Sequence, residues 1–247
     1  MTSGSMPARR RASGGVSPRR GWRVASACLW GVLATAMPRG APGQEAPQSL
    51  GTFQVARLQY AGGGDWYANP SSFPNLLREL QLRTGIPTAG EEATVTLDDE
   101  RLYAYPMLCV TGHGTIRPSP ADLQRLRSYL DRGGFLWVDD NYGIDKSFRA
   151  MVAELYPEGK LVPLSSRHPI YRSFYQLPGL PKIHEHDGDP AQGFALMHQG
   201  RMAIYYSWST DIGDGMEDPE VHNDPAEKRE AALRMAVNIC YYALTQP

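Results

Sequence analysis

The sequence predicts an α/β domain, a three-layer α/β/α sandwich around a mostly parallel sheet. Met107 to Thr111 and Phe135 to Val138 are continuous apolar runs of the kind that strands buried on both faces require. An amphipathic segment lies between them, with Leu123, Leu126 and Leu130 on one face. Strand, helix, strand at this spacing is a βαβ succession, and right-handed crossovers then build a parallel sheet covered on both faces.

The elements follow in order. Phe53 to Tyr60 alternates, is β-prone, and stops at Gly62-Gly63-Gly64, giving a first strand and a glycine loop. Phe73, Leu76, Leu77 and Leu80 recur at helical spacing, so a helix runs to about Gly85. A short strand is expected over Thr94 to Leu97. After the run at Met107, Gly112-His113-Gly114 ends the strand, Ser119 caps a helix with Pro120 in its first turn, and Gly133-Gly134 closes it. The strand at Phe135 ends in Asp139-Asp140-Asn141-Tyr142-Gly143, and a helix follows from about Lys146 to Tyr156. Ile183 to His186, Phe194 to His198 and Met202 to Trp208 read as shorter strands, the last two a hairpin across Gln199-Gly200. Leu233, Ala236, Val237, Cys240, Tyr241 and Leu244 form the stripe of a closing helix.

The amino terminus has its own organisation. Arg9, Arg10, Arg11, Arg19, Arg20 and Arg23 precede an apolar run from Val24 to Ala36, the order of a secretory signal peptide. The run is shorter than the roughly 20 residues of a bilayer span, and Pro38, Gly40, Pro42 and Gly43 break it. Residues 1–43 are therefore expected to be cleaved, after Gly43 or alternatively after Ala36, and residues 44–52 to be a linker to one domain over residues 53–247. Export would place the chain in the periplasm or outside the cell, with no stable membrane anchor after cleavage. Residues 1–43 hold seven of the 25 basic residues and no acid, so the remainder carries 18 basic against 26 acidic residues. An acidic domain without a basic cluster argues against nucleic acid and against a polybasic membrane patch. Only Cys109 and Cys240 follow residue 43, one in an apolar run and one on an apolar helix face, which reads as two buried thiols.

Three stretches carry a resemblance to a known family: Tyr105 to Gly114 (YPMLCVTGHG), Gly133 to Asn141 (GGFLWVDDN) and His168 to Phe174 (HPIYRSF). Over about Phe53 to Leu244 the chain resembles the bacterial domain of unknown function 4159. That resemblance implies a flavodoxin-like fold of the class I glutamine amidotransferase-like superfamily, whose nucleophilic cysteine follows the strand that here is Phe135 to Val138. This chain has Asp139 there, no Gly-x-Ser-x-Gly elbow, and His184-Glu185-His186 in place of the superfamily's His-x-Glu. Glutamine hydrolysis by the thiol route is not expected.

In an open parallel sheet, ligands bind beyond the carboxyl ends of the strands. The loops expected there supply Asp65, Trp66, His113, Asp139, Asp140 and Asn141 as the candidate crevice. Adjacent carboxylates need a shared proton, a cation or backbone donors, while Asp and Asn are equally good turn and capping residues. His113 between two glycines suits either a pocket or a tight turn. His184 and His186 alternate as two metal ligands on a strand would, but spacing identifies no third ligand and no established metal motif is matched, so a solvated polar strand and turn is the preferred reading and no metal is assigned. Gly62-Gly63-Gly64 lacks both the dinucleotide spacing and a P-loop lysine, so no cofactor is implied. Two functions fit: a non-catalytic envelope protein binding a ligand or another protein, or a hydrolase of a carbohydrate or peptide-like envelope component using His113 with Asp139 and Asp140.

Overall fold

The computed structural model describes residues 51–246; the expected signal peptide and most of the linker lie outside them. Seven strands form one sheet in the order β2-β1-β3-β4-β7-β6-β5. β1 (Val55–Leu58), β2 (Ala93–Val95), β3 (Met107–Val110), β4 (Phe135–Asp139) and β7 (Arg201–Trp208) run parallel, whereas β5 (Val162–Pro163) and β6 (Gln192–His198) add an antiparallel edge. β5 ends the sheet with a two-residue strand containing Pro163, which has no N–H to offer a further strand.

The two apolar runs of the sequence become the centre. Met107 to Val110 register against Phe135 to Val138, and every residue of both strands is buried. Side chains alternate across the sheet. Leu108, Val110, Leu136 and Val138 pack with α2 (Pro120–Asp131) and α3 (Asp145–Leu155) through Leu126, Leu130, Phe148 and Val152. Met107, Cys109, Phe135 and Trp137 pack on the other face with α1 (Ser72–Thr84) and α6 (Ala226–Thr245) through Leu76, Leu77, Ala236 and Val237. Ser119 and Asp122 close the reciprocal capping box that opens α2, and Gly85 ends α1 at φ 75°. Cys109 and Cys240 are free, buried thiols, and burial pushes both above the ordinary range, Cys240 to about 12. Neither offers a thiolate.

The boundaries differ from expectation where side chains decide. β1 is shorter than Phe53 to Tyr60 because Phe53 leaves the ladder for an isolated bridge to Thr88. The hairpin at Gln199-Gly200 forms, with both residues at positive φ as a tight reversal requires. Ile183 to His186 is not a strand. β4 and β6 occupy both edges of β7, leaving no ladder to join, and the N–H groups of Ile183 and His184 instead converge on the Thr210 carbonyl at 3.0 and 3.1 Å. Two short helices follow β7, α4 (Ile212–Gly215) and α5 (Pro219–His222). Among the described residues no helix is long and apolar enough to cross a membrane.

Candidate functional site

The three expected loops do meet at the carboxyl ends of the parallel strands. The first two, after β1 and β3, pack directly on each other. A Cβ on Gly62 would stand 2.5 Å from the Arg117 nitrogen, and one on Gly112 would stand 2.7 Å from Asp65. These glycines serve contact between loops. Asp65 accepts from the His113 backbone N–H, and its Oδ2 lies 3.0 Å from His113 Nδ1, so the imidazole is held with its far edge toward solvent. Trp66 is half-buried, and its carbonyl accepts from Arg57 at 3.3 Å.

The acidic pair after β4 is closed. Asp139 is 3% exposed; Oδ1 lies 2.5 Å from Ser207 Oγ, and Oδ2 accepts the Gly213 N–H at 2.7 Å. Burial pushes its carboxyl up to about 8, against the pull of those two hydrogen bonds. The neutral acid suits the network. With a proton on Oδ1, Ser207 Oγ accepts it and the Trp137 Nε1–H at 2.9 Å, and its own proton reaches the Val138 carbonyl at 3.2 Å. Asp140 accepts the N–H groups of Tyr142 and Ile144 on Oδ1 and the Tyr206 hydroxyl on Oδ2, so it fixes the turn that leads into α3. Tyr142 takes φ 120°, a conformation costly for a residue with a Cβ, and its exposed ring lies 4.8 Å from that of His186.

Asn141 leads out of this region into a second one. It is fully buried; Thr111 Oγ1 donates to its Oδ1 at 2.7 Å, which fixes the amide so that Nδ2 donates to Asp214 Oδ1 at 2.6 Å. Asn69 Nδ2 donates to the same oxygen at 2.8 Å. Asn69 is held in turn by Arg57, a buried arginine of β1. Arg57 bonds the carbonyls of Ala68 and Asn69 and pairs with Glu92 at 3.2 Å.

With Oδ1 so occupied, Asp214 turns Oδ2 toward His184 Nδ1 at 3.0 Å and His222 Nε2 at 3.8 Å. His184 Nε2 lies 2.8 Å from Asp224 Oδ2, and His186 Nε2 lies 2.5 Å from Asp211 Oδ2. Asp211 is fully buried at φ 63°, and burial together with Asp214 and Asp140 raises its carboxyl to about 8. His222 also meets Glu217, whose other oxygen accepts from Ser71. The structure thus brings His184 and His186 to one cluster, on a loop where a strand was expected. Asp211, Asp214, His222, Glu217, Asp224, Asn69 and Arg57 were missed from sequence. The available signal was Ser209-Thr210-Asp211, a polar run directly after an apolar strand, which marks a carboxyl-end loop once β7 is known to lie parallel to β4.

Beside the cluster lies an open cleft of about 340 Å³, lined by Asp140, Tyr142, Lys146, His186, Asp187 and Trp208. It shares Gly143 and Lys146 with a groove of about 530 Å³ reaching Thr115, Arg117 and Glu154. None of the curated proteins matches the chain. A family model, by contrast, matches residues 54–244, from the start of the sheet to the end of the closing helix, and the chain belongs to the family of the domain of unknown function DUF4159.

Proposed function

We propose that this is an exported envelope protein that binds a ligand in the cleft between Tyr142, His186 and Trp208, without nucleophilic catalysis, on a flavodoxin-like sandwich of the class I glutamine amidotransferase-like superfamily. The order β2-β1-β3-β4-β7 of the parallel strands supports the fold assignment. The arginine-rich, then apolar, amino terminus supports export. One observation carries the binding reading. The position where that superfamily keeps its nucleophile holds Asp139, with both oxygens satisfied and 3% exposure, while an aromatic cleft stays open beside it. A volume of this order suits a small ligand or one sugar or peptide unit.

Thermal-shift measurements with chito-oligosaccharides and soluble muropeptides test this. A probe that raises Tm of the parent but not of Tyr142→Ala or Trp208→Ala supports the cleft. Equal shifts in both variants refute it.

A second reading, a hydrolase of a carbohydrate or peptide-like envelope component, is favoured by one geometry. His113 Nδ1 sits on Asp65 and leaves its other nitrogen toward solvent, as an oriented general base would. Asp139 and Asp140 take no part in that version. Turnover of the same probes that disappears in His113→Ala would establish it, and no turnover by the parent removes it.

A further inference from the structure

The cluster beyond β7 supports a claim that does not depend on what fills the cleft. We propose that His184 Nδ1, Asp214 Oδ2 and His222 Nε2 bind a divalent transition metal ion of the zinc class, with the buried Asp211 carboxyl group beside them.

The three ligand atoms all lie within 4.8 Å of one another. Ligands about 2.0–2.2 Å from a tetrahedral ion stand roughly 3.3–3.6 Å apart. The distances of 3.0 Å from Asp214 to His184 and 3.8 Å from Asp214 to His222 straddle that range. His184 is supported from behind as a metal-bound imidazole is: Nε2 lies 2.8 Å from Asp224, and in the tautomer with its proton on Nε2 the Nδ1 lone pair faces a carboxylate oxygen. Two acceptors facing each other at 3.0 Å need a cation or a proton between them. Asp214 is fixed just as firmly, because the Asn69 and Asn141 amides occupy Oδ1 and aim Oδ2 at the imidazoles.

Asp211 is an independent observation. It is fully buried, its Oδ2 lies 3.6 Å from His184 Nδ1, and its Oδ1 has no hydrogen-bond partner among the described residues. A buried carboxylate oxygen without a donor is costly unless a cation serves it. The ion pairs of Asp211, Asp214, Glu217 and Asp224 among the described residues are all with histidines, and the Lys182 ammonium, which favours the charged form of Asp211, pairs with Glu185 instead. Two imidazoles with carboxylates select zinc or a neighbouring transition metal over calcium or magnesium, which take oxygen ligands.

Titration of chelator-treated protein with Zn²⁺ alone by calorimetry tests the site, with Co²⁺ as the spectroscopic probe of tetrahedral coordination. The parent is expected to bind a single ion per chain. His222→Ala, whose side chain lies at the surface, abolishes that binding, and Asp224→Asn weakens it about 10–100-fold. Tyr142→Ala and His168→Ala retain the parent's affinity. Failure of the folded parent to bind Zn²⁺, or equal affinity in folded His222→Ala and Asp214→Asn, overturns the proposal. Retained Zn²⁺ affinity in a Tyr142→Ala protein that no probe shifts would leave the metal site standing whatever the fate of the cleft.

Discussion

Two acidic groups sit at neighbouring strand ends and differ in their donors. At the end of β4, all four oxygens of Asp139 and Asp140 are engaged in hydrogen bonds, with Ser207, Gly213, Tyr142, Ile144 and Tyr206. After β7, Asp211 leaves one oxygen bare, and Asp214 presents one to two imidazoles. Both groups are buried, and burial pushes Asp139 and Asp211 alike to about 8. A shifted carboxylate is therefore no guide to function by itself. The count of donors separates a carboxylate that holds the fold from one left to hold something else.

Arg57→Met removes the buried guanidinium that clasps the 66–69 loop and pairs with Glu92, and is expected to cost about 3–5 kcal/mol in a denaturation curve. Zinc affinity should fall with it, since Asn69 then loses its anchor. Asp140→Ala strips the turn that leads into α3 and leaves the buried Tyr206 hydroxyl one partner short, and should cost about 2–3 kcal/mol while leaving zinc affinity unchanged.

Asp139→Asn sharpens the contrast through pH. A carboxyl at about 8 in the fold and near 3.8 when unfolded keeps its proton only in the native state between those values. Its contribution to stability is full below about pH 4 and is lost as pH rises toward 8. Asparagine mimics the neutral acid, donating to Ser207 and accepting from Gly213. The variant should therefore show a flatter decline of Tm between pH 5 and 8 than the parent, a slope change of at most about 1.4 kcal/mol per pH unit. The same decline in both proteins would count against a protonated Asp139. The smallest effect is expected of His222→Ala in metal-free protein, about 1 kcal/mol by denaturation, because its side chain is part-exposed and the change removes its contact with Glu217.

The sequence made the sheet legible where chemistry is uniform. Met107 to Thr111 and Phe135 to Val138 are short, apolar and bounded by glycine or turn residues, as doubly covered strands are, and the Ser119 cap and Gly85 stop are local. It was less informative for the cluster, because Asn69, Asn141, His184, Asp214 and His222 come from five separate segments. Nothing local distinguishes an Asp that receives two amides from one on a solvated turn. Asn141 illustrates this: it was named for the crevice with Asp139 and Asp140, but its hydrogen bonds tie it to Asp214. His184 and His186 drew attention as a pair, yet their partners became visible only when β7 was placed beside β4.

The most direct test of the difference between the two acidic groups is the Zn²⁺-induced change in Tm for Asp139→Asn and Asp214→Asn side by side. Both substitutions keep the side chain's shape; Asp139→Asn replaces a neutral acid, whereas Asp214→Asn takes away the oxygen that faces the two imidazoles. At Zn²⁺ 100-fold above Kd, Asp139→Asn should gain the parent's stabilisation of about 2.7 kcal/mol and Asp214→Asn should gain none. A shift retained by Asp214→Asn and lost by Asp139→Asn would reverse the assignment of the two groups.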